Sequence, residues 1–102
     1  MQARRLNVSQ RALTDLLEDY EYTSQFNPIA ARRLLDELNA KMASLAELGL
    51  TGSSREFVPG LRAFPFRGRC IYFVIDETTM HVLRVLHGHQ DISADNFPTD
   101  ET

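Results

Sequence analysis

The segment NPIAARRLLDELNAKMASLAELG, residues 27–49, constrains the fold most, because its apolar side chains recur with the period of one helix face. Asn27 is of a type that caps helices, and Pro28 is well tolerated at the first helical position. Gly49 is a natural C-terminal stop. These signals predict a helix over residues 28–48 with a buried face formed by Ala31, Leu34, Leu35, Leu38, Met42, Leu45 and Leu48.

A second helix is predicted just upstream, over residues 10–24, with Ser9 as its N-cap. Only a few residues separate the two helices, so we expect an antiparallel hairpin. The predicted apolar stripe of this helix comprises Ala12, Leu13, Leu16, Leu17 and Tyr20. Its four acidic side chains lie mostly off that stripe, namely Asp15, Glu18, Asp19 and Glu21.

The rest of the chain has the period and composition of strands. Residues 3–9 alternate polar and apolar, and residues 50–56 are a loop by composition. Three aromatic and β-branched runs follow, LRAFPF, RCIYFVID and MHVLRVLH, of which the second is expected to be central and the first, with Pro65, nearer an edge or a bulge. The order predicts an α+β domain, in which a short N-terminal strand and a three-stranded antiparallel meander form one sheet with the helical hairpin on one face.

Length and composition favour a single domain over residues 1–97, followed by a flexible tail at residues 98–102. The single cysteine, Cys70, excludes an internal disulfide and argues against a cysteine-built metal site, so we predict no metal and no cofactor. No apolar run is long enough to span a bilayer, and the N-terminus has no secretion signal. These features predict a cytoplasmic location and no membrane partner.

The segment MHVLRVLHGHQDI, residues 80–92, gathers side chains that could belong to an active site or to the polar end of a strand. Arg84 alternates with apolar neighbours and is expected to stack over the sheet or to pair with an acid such as Asp91. His87 ends the strand, where a hydrogen bond to a backbone carbonyl would satisfy it. We therefore interpret Arg84, His87 and Asp91 as residues that organise the sheet.

The order of these segments resembles the RelE/ParE superfamily of bacterial toxins from toxin–antitoxin modules, and within it the ParE branch. A helix with the sequence ALTDLLEDYEYT precedes the segment 27–49, PGLRAF matches the "pGlR" segment, RGRCIYFVID matches the "y.ifY.v.d" strand, and VLRVLHGHQDI matches the "i.rVlHgrrDi" ending. The resemblance covers about residues 5–97. It implies this α+β fold and a separately encoded, ParD-like antitoxin that wraps the toxin in a hetero-oligomer.

Two activities are implied by the two branches. ParE members imply inhibition of DNA gyrase and arrest of replication, which needs no catalytic residue. RelE members imply ribosome-dependent cleavage of mRNA, for which the candidate catalytic residues are Arg62, Arg69, Arg84 and His87. The chain carries a net charge of −3 and one lysine, whereas RelE-type nucleases are strongly basic. We therefore predict the gyrase inhibitor, with the endoribonuclease and an inactive binding-only relative as alternatives.

A binding toxin needs one surface for its target and another for its antitoxin. We predict that the target-binding surface lies on the strand arginines and the loop 50–60, with Arg55, Arg62, Arg67 and Arg69 as its residues. The antitoxin surface is expected on the outer sides of helices 10–24 and 28–48 and along the strand at residues 4–8. No sequence-specific nucleic-acid binding by the chain alone is expected.

Overall fold

A computed structural model describes residues 3–55 and 58–87, apart from the side chain of Arg55. Five strands form one sheet in the order β1-β5-β4-β3-β2, in which β1 runs parallel to β5 and all other neighbours are antiparallel. The elements are β1 (Arg5–Val8), α1 (Gln10–Ser24), α2 (Pro28–Leu48), β2 (Ser53–Arg55), β3 (Leu61–Phe66), β4 (Arg69–Ile75) and β5 (Thr79–His87). The α+β architecture predicted from the sequence is confirmed.

Strand β2 is an addition to that prediction, which assigned residues 50–56 to a loop. Ser53 lies opposite Ala63, so β2 extends the sheet beyond β3 although its own composition favours a turn. The close approach of the chain before β2 to strand β3 depends on Gly52, because a Cβ atom there would lie 2.4 Å from the carbonyl oxygen of Ala63. Pairing with β2 stops at Ala63, so Pro65 lies on a part of the β3 edge that pairs with no other strand of the described residues, which suits its missing N–H.

The predicted helix ends are confirmed by the backbone. The Ser9 hydroxyl accepts a 3.0 Å hydrogen bond from the Ala12 N–H at the start of α1. Asn27 caps α2 in the same way, and Gly49 ends that helix with a φ of 69°. Two firmly capped helices joined by three residues leave little freedom in how the hairpin meets the sheet. Neither helix is long and apolar enough to cross a membrane within the described part of the chain.

Both faces of the sheet are buried, and β4 is its central strand as predicted. Side chains of β4 alternate between a core under the helices, with Ile71 and Phe73, and a second cluster on the opposite face, with Cys70 and Tyr72. The helices contribute Leu16, Leu38, Met42 and Leu45 to the first core. This packing sets α1 against the end of the sheet where β4 begins and β5 ends.

The predicted buried stripes of the helices need correction at three leucines. Leu13 and Leu17 were expected in the core, but their exposed fractions are 48% and 56%. The face of α1 that meets the sheet is formed instead by Ala12, Asp15 and Leu16. Asp19 lies on the same face, one turn after Asp15. Leu48 is also exposed, because the last turn of α2 packs through Leu45 and Ala46.

Candidate functional site

Two aspartates on the sheet-facing side of α1 define the site. Asp15 and Asp19 are four residues apart, so they lie one turn apart on the same face. Each faces an arginine from the sheet: Asp15 pairs with Arg84 on β5, and Asp19 pairs with Arg69 on β4. Helix α1 is therefore joined to the sheet by these two arginine–aspartate pairs as well as by apolar packing.

The Asp15–Arg84 pair is the more deeply buried, with exposed side-chain fractions of 6% and 10%. The guanidinium donates from Nε to Oδ2 at 2.7 Å and from Nη2 to Oδ1 at 2.9 Å. The backbone N–H of Val85 donates a third hydrogen bond to Oδ2 at 3.0 Å. Strand β1 pairs with β5 only as far as Val82, so the Asp15 carboxylate satisfies a donor on an edge of β5 where no other strand of the described residues lies alongside.

The Asp19–Arg69 pair has the same two-pronged geometry. Arg69 donates from Nε to Oδ2 at 2.8 Å and from Nη2 to Oδ1 at 2.7 Å. Burial by itself raises the pKa of the Asp19 carboxyl, but the hydrogen bonds and charge of Arg69, with smaller effects of His87 and Thr23, hold that pKa below its ordinary value. The hydrogen bonds to Asp19 likewise raise the pKa of Arg69.

His87 lies beside this pair, at the rim of a cleft. Its Nε2 is 3.8 Å from Oδ1 of Asp19, and its side chain is 54% exposed. The cleft, of about 200 Å³, is lined by Asp15, Glu18, Asp19, Tyr22, Arg84, Val85, Leu86 and His87. The cleft thus holds an imidazole that could move a proton, but the two guanidinium groups beside it are already matched by carboxylates.

The remaining predicted site residues are placed elsewhere. Arg62 lies opposite Phe73, four residues along β4 from Arg69, or about 13 Å at the usual strand rise. Its guanidinium donates to the carbonyl oxygens of Thr51 and Gly52. The structure therefore gathers Arg69, Arg84 and His87 around the two aspartates of α1, whereas Arg62 contacts backbone carbonyl groups next to β2.

The other predicted target-binding arginines lie away from the cleft as well. Arg67 occupies the β3–β4 turn, and the backbone of Arg55 belongs to β2. Asp91, the predicted partner of Arg84, lies outside the described residues, as does the predicted tail at residues 98–102. No group of three or more potential metal ligands occurs within residues 3–55 and 58–87.

The sequence prediction missed Asp15 and Asp19 because two stripes of α1 compete. Ala12, Asp15, Leu16 and Asp19 have the same helical spacing as the apolar stripe that was chosen. The stripe with Leu13 and Leu17 has the higher apolar content and is therefore predicted to be buried, although both leucines are exposed in the structure. Two features of the sequence could have identified the pairs. Two aspartates share a helix face with Ala12 and Leu16, and the strand arginines lie among apolar residues, where a buried charge needs a partner of opposite charge.

The pH dependence of stability tests the Asp19 pair. The folded-state pKa of Asp19 lies below its unfolded value of about 3.9, so its stabilisation is complete above that pH and is lost as the pH falls through the folded-state pKa. We expect the difference in melting temperature between the wild type and Asp19→Asn to be widest near pH 7 and to narrow below about pH 4. The exposed Asp36→Asn variant is the control. A gap of equal size at pH 3 and pH 7 would contradict this assignment.

Comparisons with known proteins identify a family and two similar folds. The family model for the ParE toxin of type II toxin–antitoxin systems, parDE, matches residues 6–92. A chain of the chromosomal ParDE system from P. aeruginosa is similar in fold, with a TM-score of 0.72 and 20% identity over 82% of this chain and 95% of that one. A chain of the toxin–antitoxin complex RelBE2 from Mycobacterium tuberculosis gives 0.61 and 21% identity over 85% and 93%. No curated protein sequence gave a match.

Proposed function

The chain belongs to the ParE family of toxins from type II toxin–antitoxin systems, and on that basis we propose that it arrests bacterial replication by binding DNA gyrase. A separately encoded antitoxin neutralises it by covering the free toxin. The toxin acts by occupying a surface of its target, so no residue of the cleft has a catalytic role. The partner and the target are both proteins of the bacterial cytoplasm.

The pairing of Arg69 and Arg84 with aspartates carries this proposal. A nuclease of this type needs cationic groups free to stabilise the negative charge of the phosphorane. Arg69 and Arg84 each give two hydrogen bonds to an aspartate of α1, so a phosphate would have to displace a carboxylate from each of them. The net charge of −3 also opposes docking on ribosomal RNA.

An mRNA endoribonuclease is the second candidate, because His87 is exposed at the rim of the cleft next to Asp19 and Arg84. Imidazole side chains are common carriers of protons in catalysis. In that alternative, His87 would move the proton and Arg84 would leave Asp15 on binding RNA. The two candidates therefore differ in whether His87 is needed.

The antitoxin surface that we propose is apolar and lies on α1 and β1. Leu13 and Leu17 are four residues apart on the outer side of α1, where they form an exposed apolar stripe. Leu6 is exposed on β1, whose outer edge has no paired strand among the described residues. An amphipathic helix on the first and an added strand on the second are two established ways of binding a peptide.

Helix α2 offers a second part of this surface. A groove of about 610 Å³ runs along its outer side. Ile29 is the most exposed apolar residue at that groove. Arg33 also lines the groove and makes no ion pair within the described part of the chain. We propose that the antitoxin continues from the apolar stripe of α1 into this groove, where a segment with apolar and acidic residues contacts Ile29 and Arg33.

Pulse labelling after induction of the toxin in a bacterium tests the proposal. We expect DNA synthesis to fall within minutes and before protein synthesis, followed by an SOS response. His87→Ala should leave this order and the growth arrest intact, because a binding toxin needs no proton carrier. Protein synthesis falling first, together with loss of toxicity in His87→Ala, would support the endoribonuclease instead.

A further inference from the structure

The β3–β4 turn contains an arginine in a backbone conformation that suits other residues better. Arg67 and Gly68 are its two central residues, with φ angles of 54° and 76°. A turn with two positive φ angles favours asparagine, aspartate or glycine at the first position. Arg67 is the only residue other than glycine with positive φ in the described part of the chain. A strained residue of this kind is a reason to ask what its side chain does.

The side chain of Arg67 is displayed at the surface and held in place. Its Nε lies 2.9 Å from Oε1 of Glu37 on α2, and its Nη2 donates to Oε2 at 3.3 Å. The guanidinium carbon is 5.9 Å from the centroid of the Phe66 ring. The side chain nevertheless remains 58% exposed. Two fixed contacts orient the guanidinium and leave its remaining edge open to solvent.

A second cation flanks the same ring. Nζ of Lys41 lies 5.3 Å from the centroid of Phe66 and 5.6 Å from that of Phe64. Lys41 makes no ion pair with any carboxylate in the described residues, although it is the only lysine of the chain. Lys41, Phe64, Phe66 and Arg67 together form a surface that we call the turn patch. With Glu37 at its border, the turn patch has one net positive charge.

We propose that the turn patch binds an acidic segment of the protein target, a step that rests on the proposed function. Two cations placed on aromatic rings suit carboxylates that arrive beside an apolar or planar group. A protein segment fits better than a nucleic acid, because two cations neutralise few phosphates and the chain as a whole is acidic. The turn patch thus gives the target a contact that is separate from the apolar stripe on α1.

The turn itself supplies a sharp test. Arg67→Asn removes the cation and creates the Asn-Gly sequence that this turn prefers, so the variant should melt at the same or a higher temperature than the wild type. We expect it to bind purified gyrase at least tenfold more weakly and to lose growth inhibition in proportion. Lys41→Gln should weaken binding in the same direction. Arg32→Gln, which removes an exposed arginine from α2, is the control and should bind gyrase like the wild type.

Each other outcome overturns a defined part of the account. Arg67→Asn with unchanged gyrase binding and toxicity would show that the arginine is merely a tolerated turn residue. A loss confined to binding of DNA alone, or to antitoxin binding, would overturn an acidic protein target for the turn patch. If the wild type arrests growth without binding gyrase, and Arg67→Asn abolishes the arrest, gyrase is the wrong target and the turn patch stands. A wild type that neither binds gyrase nor arrests growth overturns both proposals.

Discussion

Replacing Asp15 with alanine is expected to lower the free energy of unfolding by about 3–5 kcal/mol. The change leaves the guanidinium of Arg84 buried without its carboxylate, and the backbone N–H of Val85 without its acceptor. In a domain of about 100 residues such a loss lowers the melting temperature by more than about 10 °C. Urea denaturation followed by circular dichroism would measure it.

Two further variants distinguish the cost of leaving a buried charge without its partner from the effect of removing a carboxylate in general. Asp36→Ala removes an exposed carboxylate that pairs with Arg32 within one helix, and should cost less than about 1 kcal/mol. Replacing both partners of the buried pair, as in Asp15→Leu with Arg84→Met, should recover much of the stability lost by Asp15→Ala. An Asp15→Ala variant as stable as the Asp36→Ala control would contradict the role assigned to this pair.

Glutamates on the outer side of α1 are expected to disrupt antitoxin binding. Each of Leu13→Glu and Leu17→Glu should cost about 2 kcal/mol of binding free energy, and the double variant about a thousandfold in Kd. Both side chains are exposed in the free chain, so burial of a charge at the interface is the cause. Titration calorimetry with the product of a small reading frame next to the toxin gene would measure the change.

Leu48→Glu is the matched control for this experiment. Leu48 is another exposed leucine, but it lies at the end of α2 outside the groove and the α1 stripe. It should leave antitoxin affinity within about threefold of the wild type, which is less than 1 kcal/mol. All three variants should retain the wild-type free energy of unfolding within about 0.5 kcal/mol, because they replace surface residues. Wild-type affinity in the α1 double variant would remove this stripe from the antitoxin surface.

The helices and four of the strands were predictable from the sequence because their signals are local. Ser9, Asn27 and Gly49 determine helix ends through bonds to residues three or four positions away. Strand β2 was not predictable from the sequence, because a segment with Gly52 and two serines becomes a strand only by pairing with β3. The pairing partner of such a strand is a separate segment of the chain, which the strand's own residues do not reveal.

The site was predictable only in part, for a related reason. Arg69, Arg84 and His87 were recognised as candidate residues, because polar side chains in apolar strands stand out. Their partners Asp15 and Asp19 are 69 and 50 positions away from Arg84 and Arg69. Helix periodicity alone cannot choose between two stripes of equal spacing. The choice was made by tertiary packing, in which the arginines needed carboxylates.

Purified gyrase tests the central claim most directly. The measurement is ATP-dependent supercoiling of a relaxed plasmid and the accumulation of cleaved plasmid, with the toxin added from substoichiometric amounts to excess. We expect supercoiling to be inhibited by the wild type and equally by His87→Ala. Supercoiling that is unaffected by excess wild-type toxin, with mRNA cut on ribosomes only when His87 is present, would contradict it.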